Sequence, residues 1–237
     1  MEWIDLDAWP RGEQFRYFCG LDRPQYDLCA RLDVTRFCAF MKARGGSSYH
    51  AMGYFVTRAA NGIPAFRMRI REGRPLLHER VNPSFTEPRA DGELFKCVGV
   101  EWCEDLGGFL RRCDEASARQ GDRFLLDSEE ARDDYLYLSC LPWVDFTSVS
   151  QACDFDRGDA VPHITWGKYV REGGRDDGAF GDGAPRLLRR HPRGKVFRRA
   201  PADAGRALNP DIHHPCEGRG PHAAGGARRR GERGAEL

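Results

Sequence analysis

Long apolar runs are missing from this chain: nowhere do the roughly 18 consecutive apolar residues of a membrane-spanning helix occur. The first residues, Met1-Glu2-Trp3-Ile4-Asp5, carry acids where a secretory leader needs bases and an apolar stretch, so a cytoplasmic protein is expected. Net charge is almost missing as well. Against 37 Lys and Arg stand 36 Asp and Glu, leaving +1 and no general case for nucleic acid as a partner. Paired cysteines are the third absence: nine cysteines show no Cys-x-x-Cys spacing, and Cys38, Cys97 and Cys140 lie inside apolar runs. The sequence therefore predicts reduced, mostly buried thiols rather than a disulfide framework. His213, His214 and Cys216 lack ligand spacing and a second ligand pair, so no metal is expected.

A further absence is local. After Arg175 there is no Trp, Tyr or Met, although aromatics recur throughout the chain before it. From Asp176 to Leu237, Leu, Ile, Val and Phe make up roughly one residue in eight, below the ~20% under which a segment buries too little apolar surface to offset its ordering entropy. The sequence thus divides into a folded domain over 1–175 and an Arg/Gly/Pro-rich, disordered tail over 176–237. Overall hydrophobic content of 41% gives the first part enough material for one substantial core.

Elements alternate within that part. Asp7 can cap a short helix running to Phe18, with Trp9, Phe15 and Phe18 on one side. Thr35 can cap a second helix through Phe37, Phe40 and Met41, which Gly45-Gly46 ends, and Ser47 or Ser48 can open a third to about Asn61. Phe66, Met68 and Ile70 alternate with Arg67, Arg69 and Arg71, which predicts a strand with one apolar and one basic face. Leu106, Phe109, Leu110 and Cys113 recur at helical spacing after Asp105. Tyr135 to Cys140, Val144 to Val149 and Ile164 to Val170 read as strands. The expected class is α+β, a mixed β-sheet flanked by helices.

Five motifs fall in order along these elements: Trp9-Pro10-Arg11-Gly12-Glu13-Gln14-Phe15, Ala65-Phe66-Arg67-Met68, Asn82-Pro83-Ser84-Phe85-Thr86, Leu141-Pro142-Trp143-Val144-Asp145-Phe146-Thr147-Ser148 and Trp166-Gly167-Lys168-Tyr169. Together they resemble the chloramphenicol acetyltransferase family of the classical trimeric type, over about residues 3–175. The resemblance implies the coenzyme A-dependent acyltransferase fold, acetyl-CoA as co-substrate, chloramphenicol or a similar small alcohol as acceptor, and a homotrimer. In that family each active site lies between subunits, with the two substrates entering a tunnel from opposite ends. Residue roles follow the same resemblance. Ser148 matches the serine that stabilises the tetrahedral oxyanion, and Arg11 matches an arginine that supports the catalytic loop. Tyr17, Phe18, Tyr26 and Phe85 fall where relatives line the acceptor pocket, although Phe18 and Phe85 fit a core position equally well.

The family's His-His-x-x-x-Asp-Gly run, which supplies the base, has no counterpart. Acetyl transfer to an alcohol needs a group that takes the hydroxyl proton as well as donors for the oxyanion. His50 and His163 read as surface or core histidines, and His213-His214 has its acid one residue too early with Pro215 between. His191 lies near the right sequence distance, in an Arg-rich run without strand pattern, and is the remaining candidate base. Codons after about Arg175 read one base later permit His-His-Ala-Ser-Cys-Asp-Gly, then an amphipathic helix and a stop near Leu208-Asn209. The tail therefore reads as frameshifted translation. Three classes of function compete: an O-acetyltransferase conferring antibiotic resistance, impaired as written; a pseudoenzyme that retains ligand binding; and a module whose basic tail contacts phosphate.

Overall fold

Capping residues open the two longest helices. Ser47 accepts a hydrogen bond from the His50 amide (3.2 Å) at the start of α3, Ser48–Asn61, and Asp105 accepts from the Gly108 amide at the start of α4, Leu106–Gln120. The computed structural model of the chain describes residues 1–22, 24–152 and 160–171 in full, and residues 172 and 175–184 by their backbone. The other helices are α1, Gly12–Cys19; α2, Thr35–Arg44; and the single turn α5, Asp127–Glu130. Asp7 does not cap α1. The chain first makes turns that tie Trp9 to Asp5 and Gly12 to Trp9, so the helix starts at Gly12 and the Asp7 carboxylate pairs with Arg16 instead.

Two sheets form. The smaller joins β1, Glu2–Trp3; β4, Arg74–Leu77; and β3, Met68–Arg71, in that order. The larger contains β2, Tyr26–Asp33; β5, Asn82–Pro88; β6, Phe95–Gly99; β7, Tyr135–Leu141; β8, His163–Glu172; and β9, Arg175–Ala184, ordered β2-β9-β8-β7-β5-β6. β7 runs parallel to both neighbours and the remaining pairs are antiparallel, so the sheet is mixed and the class is α+β. The core lies between this sheet and α3 and α4, where Met52, Tyr54, Phe55, Phe109 and Cys113 meet Phe85, Val98, Leu136, Leu138 and Trp166. α3 approaches β5 closely at Gly53. A Cβ there would lie 2.3 Å from the Phe85 ring, which no side chain tolerates.

Four expectations need correction. Residues 64–67 form a 3-10 turn, so β3 starts only at Met68, and its basic face is turned inward: Arg69 is 1% exposed. That burial is tolerated because its guanidinium donates to the carbonyls of Phe66, Met68, Asp133 and Tyr135. No strand runs from Val144 to Val149. β7 ends at Leu141, Pro142 offers no amide to a ladder, and the Val144 amide folds back onto the Leu141 carbonyl at 3.0 Å. The folded part does not stop at 175 either: β9 continues to Ala184, paired with β2 and β8 on its two sides, so residues 176–184 belong to the sheet and not to a disordered tail. Finally, among the seven described cysteines only Cys113 is buried; the other six are half-buried.

Candidate active site

The C-terminal ends of β5 and β7, the middle of β8 and the hairpin between β5 and β6 enclose a cleft of about 900 Å³. Its floor is Thr86 and Ser139, whose hydroxyls share a hydrogen bond of 2.9 Å, beside the Cys140 thiol. The Tyr49 hydroxyl braces that floor by bonding the carbonyls of Thr86 and Leu138 at 3.0 Å each. Burial holds the Tyr49 hydroxyl far above the usual phenol range, and burial also raises Cys140 to about 11. Both therefore stay neutral at ordinary pH, and Cys140 is an inert wall rather than a nucleophile. Trp166, Tyr169, Leu94, Phe95 and Trp143 supply apolar walls, and Lys168 is exposed at the cleft as a cation.

Glu87 links the cleft to a buried polar network. Burial alone would raise its carboxyl, but hydrogen bonds from His50 (3.0 Å) and Ser117 (2.5 Å) outweigh it and lower the pKa. Lys96 extends the network by donating to Ser117 and to the Gly121 carbonyl at 2.9 Å, which closes the C-terminal end of α4. His50 is thereby committed to a structural contact.

Ser148 lies in an exposed, irregular segment that runs alongside β8. The segment is held at Val144, whose carbonyl accepts from the Lys168 amide (2.8 Å); at Phe146, whose ring packs on Gly167; and at Gln151, which bonds Thr165 (2.6 Å) and His163 (3.2 Å). Ser148 itself does not line the cleft, but its anchors Gly167 and Lys168 do. Of the acceptor-pocket candidates, Tyr17 is 66% exposed with the half-buried Phe18 edge-on at 5.0 Å, and Tyr26 opens β2 and packs against the core. None of these three lines the cleft. Phe85 is 0% exposed, packed on Gly53 and Phe109 in the core, and does not line the cleft. Arg11 precedes α1, and its carbonyl accepts the Phe15 amide (2.9 Å). His191 lies outside the described residues. None of the described histidines, His50, His78 and His163, lines the cleft.

The sequence reading overlooked several lining residues. Leu94 precedes and Phe95 begins a strand that the periodicity does not reveal, and Trp143 and Lys168 stand in motifs that assign them no role. The available signal in the sequence is a tryptophan directly after a proline, Pro142-Trp143, which the structure leaves 73% accessible. A second, polar cleft of about 720 Å³ lies by Arg58, His78 and Glu101 and holds none of the predicted site residues. Among the described residues no group of three or more His, Cys, Asp or Glu is placed to hold a metal ion, and no helix is long and apolar enough to cross a membrane.

Solved structures of coenzyme A-dependent acyltransferases share this fold. A chloramphenicol acetyltransferase superposes with a TM-score of 0.78 at 24% identity, covering 88% of this chain and 100% of its own. A dihydrolipoamide acetyltransferase from Azotobacter vinelandii gives 0.57 at 16% identity, covering 83% and 88%. Residues 1–176 match the chloramphenicol acetyltransferase family, and the chain belongs to it. By family it is an acyltransferase. Chloramphenicol acetyltransferase 2 of Escherichia coli is 27% identical over 173 residues, 73% of this chain and 81% of that protein. A chloramphenicol acetyltransferase of Acinetobacter baumannii is 28% identical over 171 residues, 72% and 78%.

Proposed function

We propose that this chain carries the body of an acetyl-CoA-dependent O-acetyltransferase acting on chloramphenicol or a similar small alcohol, and that the chain as written is impaired. The observation that carries the reading is the joining of two family motifs at one cleft: Leu141, Pro142 and Trp143 form one wall, and Trp166, Gly167, Lys168 and Tyr169 form the next. Apolar walls with one ammonium suit the extended arm and phosphates of coenzyme A. In the reaction the acceptor oxygen attacks the thioester carbonyl, a base takes its proton, Ser148 donates to the oxyanion, and the coenzyme A thiol departs. Tyr17, Phe18, Tyr26 and Arg11 lie away from the cleft of their own chain, which is consistent with a homotrimer in which one subunit's N-terminal region completes a neighbour's site.

The base is the missing part. The described histidines are held by Glu87, Asp133 and Gln151, and the family's His-His-x-x-x-Asp-Gly run is absent. A displaced reading frame after about Arg175 accounts for both the missing run and the change in composition, and a soluble, cytoplasmic resistance enzyme is the function of the undisplaced sequence. The test is acetylation of chloramphenicol by the 237-residue protein and by a frame-corrected version ending near Leu208. Losing the base alone is expected to slow the first by about 10²–10⁴. Equal rates would show that another histidine, His191 first, serves as base. Coenzyme A binding without turnover in both proteins would favour the pseudoenzyme reading instead.

A further inference from the structure

Ser148 sits on a segment without strand pairing, so something other than a ladder must fix its hydroxyl. The contacts at Val144, Phe146 and Gln151 all lead to β8, and a segment tied along one line can still tilt about that line. A sideways tie exists at Asp145. One guanidinium nitrogen of Arg31, on strand β2, reaches both of its carboxylate oxygens, at 2.9 and 2.8 Å. β2 is separated from β8 by β9, so this ion pair spans a strand to hold the segment from the side. Asp145 precedes the buried Phe146, and with Phe146 turned down onto Gly167 its own side chain is free to point toward β2.

We propose that Arg31 is a positioning residue for Ser148, acting through Asp145 to stop the serine segment tilting about β8. The proposal rests on the reading of Ser148 as oxyanion donor. Both partners are partly exposed, 41% and 35%, so the pair contributes little to global stability. Its effect lies in placement, where a displacement of about 1 Å can cost as much as 10²-fold in rate. The two consequences separate: unfolding should scarcely change while catalysis and local protection do.

The test uses Arg31→Ala, Asp145→Asn and the exchanged pair Arg31→Asp with Asp145→Arg in both the full chain and its frame-corrected form, with turnover read in whichever of the two acetylates chloramphenicol. Two readouts are taken, amide hydrogen exchange of the peptide spanning residues 143–150 and the kcat and KM of acetyl transfer. The single variants are expected to exchange faster in that peptide, with the melting temperature nearly unchanged, and the exchanged pair to restore protection. Turnover is expected to drop about tenfold in kcat with KM little changed, since the loss falls on the oxyanion and not on ground-state binding. The exchanged pair and Arg31→Lys should recover much of it. Unchanged exchange in the single variants would overturn the proposal, and so would faster exchange with unchanged kcat. If neither the parent chain nor its frame-corrected form acetylates chloramphenicol, the functional reading fails instead, and the exchange data alone then decide the tie between Arg31 and Asp145.

Discussion

Gly53 shows how a single missing methyl group sets the spacing of a layer. The Phe85 ring occupies the space a Cβ would fill, 2.3 Å from Cε1, and Leu138 closes the far side at 3.2 Å. Gly53→Ala must push α3 off β5 or twist the ring from its rotamer, and overpacking of this kind costs about 1–3 kcal/mol. Urea unfolding should show that loss with an unchanged denaturant slope. An unchanged midpoint would mean that the helix shifts freely. The same scale shows what alternation alone leaves open at Arg69 and Phe85. Alternation along residues 66–71 puts the arginines on one basic face, yet what decides the burial of Arg69 is the supply of carbonyl acceptors, and two of its four come from Asp133 and Tyr135, far along the chain. Phe85 fits both a pocket and a core by sequence, and in the structure the approach of α3 buries it.

Between elements, Asp133 fastens the small sheet to the large one. Its carboxylate accepts from Arg71 on β3 at 2.6 Å and from His78 after β4 at 2.9 Å, just before β7 begins. Burial alone would raise this carboxyl, but the hydrogen bonds from His78 and Arg71 prevail and hold it far below the usual carboxylate range. A carboxyl depressed in the folded state stabilises fully above its unfolded value, about pH 3.9, and that contribution is lost as pH falls toward the folded value. Glu87 and Asp134 are lowered in the same direction. Stability measured by urea titration should therefore fall steeply below about pH 4, and Asp133→Asn should lower stability at pH 7 while flattening that fall. A pH profile unaffected by Asp133→Asn would reject the role. Elements with a local signal were legible: the caps and periodicity of α3 and α4 and the apolar runs of β7 and β8 stand in the sequence. Those without one were not. β6 is short, the Ser148 segment has a strand-like composition but a proline at its entry, and β9 is rich in Gly and Asp.

For the whole molecule, β9 carries the sheet past the compositional break at 175. Its sequence, Arg175-Asp176-Asp177-Gly178-Ala179-Phe180-Gly181-Asp182-Gly183-Ala184, predicts no strand, yet it pairs with β2 from Tyr26 to Asp33 and with β8 from His163 to Glu172. Without it β2 would have no neighbour in the large sheet, and β2 carries Arg31. Composition places the boundary at 175 because apolar content drops there; backbone pairing, to which composition is blind, carries the sheet on to Ala184. Two truncations separate these readings. Deleting residues 185–237 should leave the melting temperature and far-UV circular dichroism of the full chain unchanged, since that segment has too little apolar surface to stabilise the body. Deleting residues 173–237 should strip the ladder from β2 and lower the melting temperature by several degrees, about 3 °C or more for a domain of this size. If instead both truncations melt together with the full chain, β9 contributes nothing to the sheet, and the compositional boundary at 175 is the physical one.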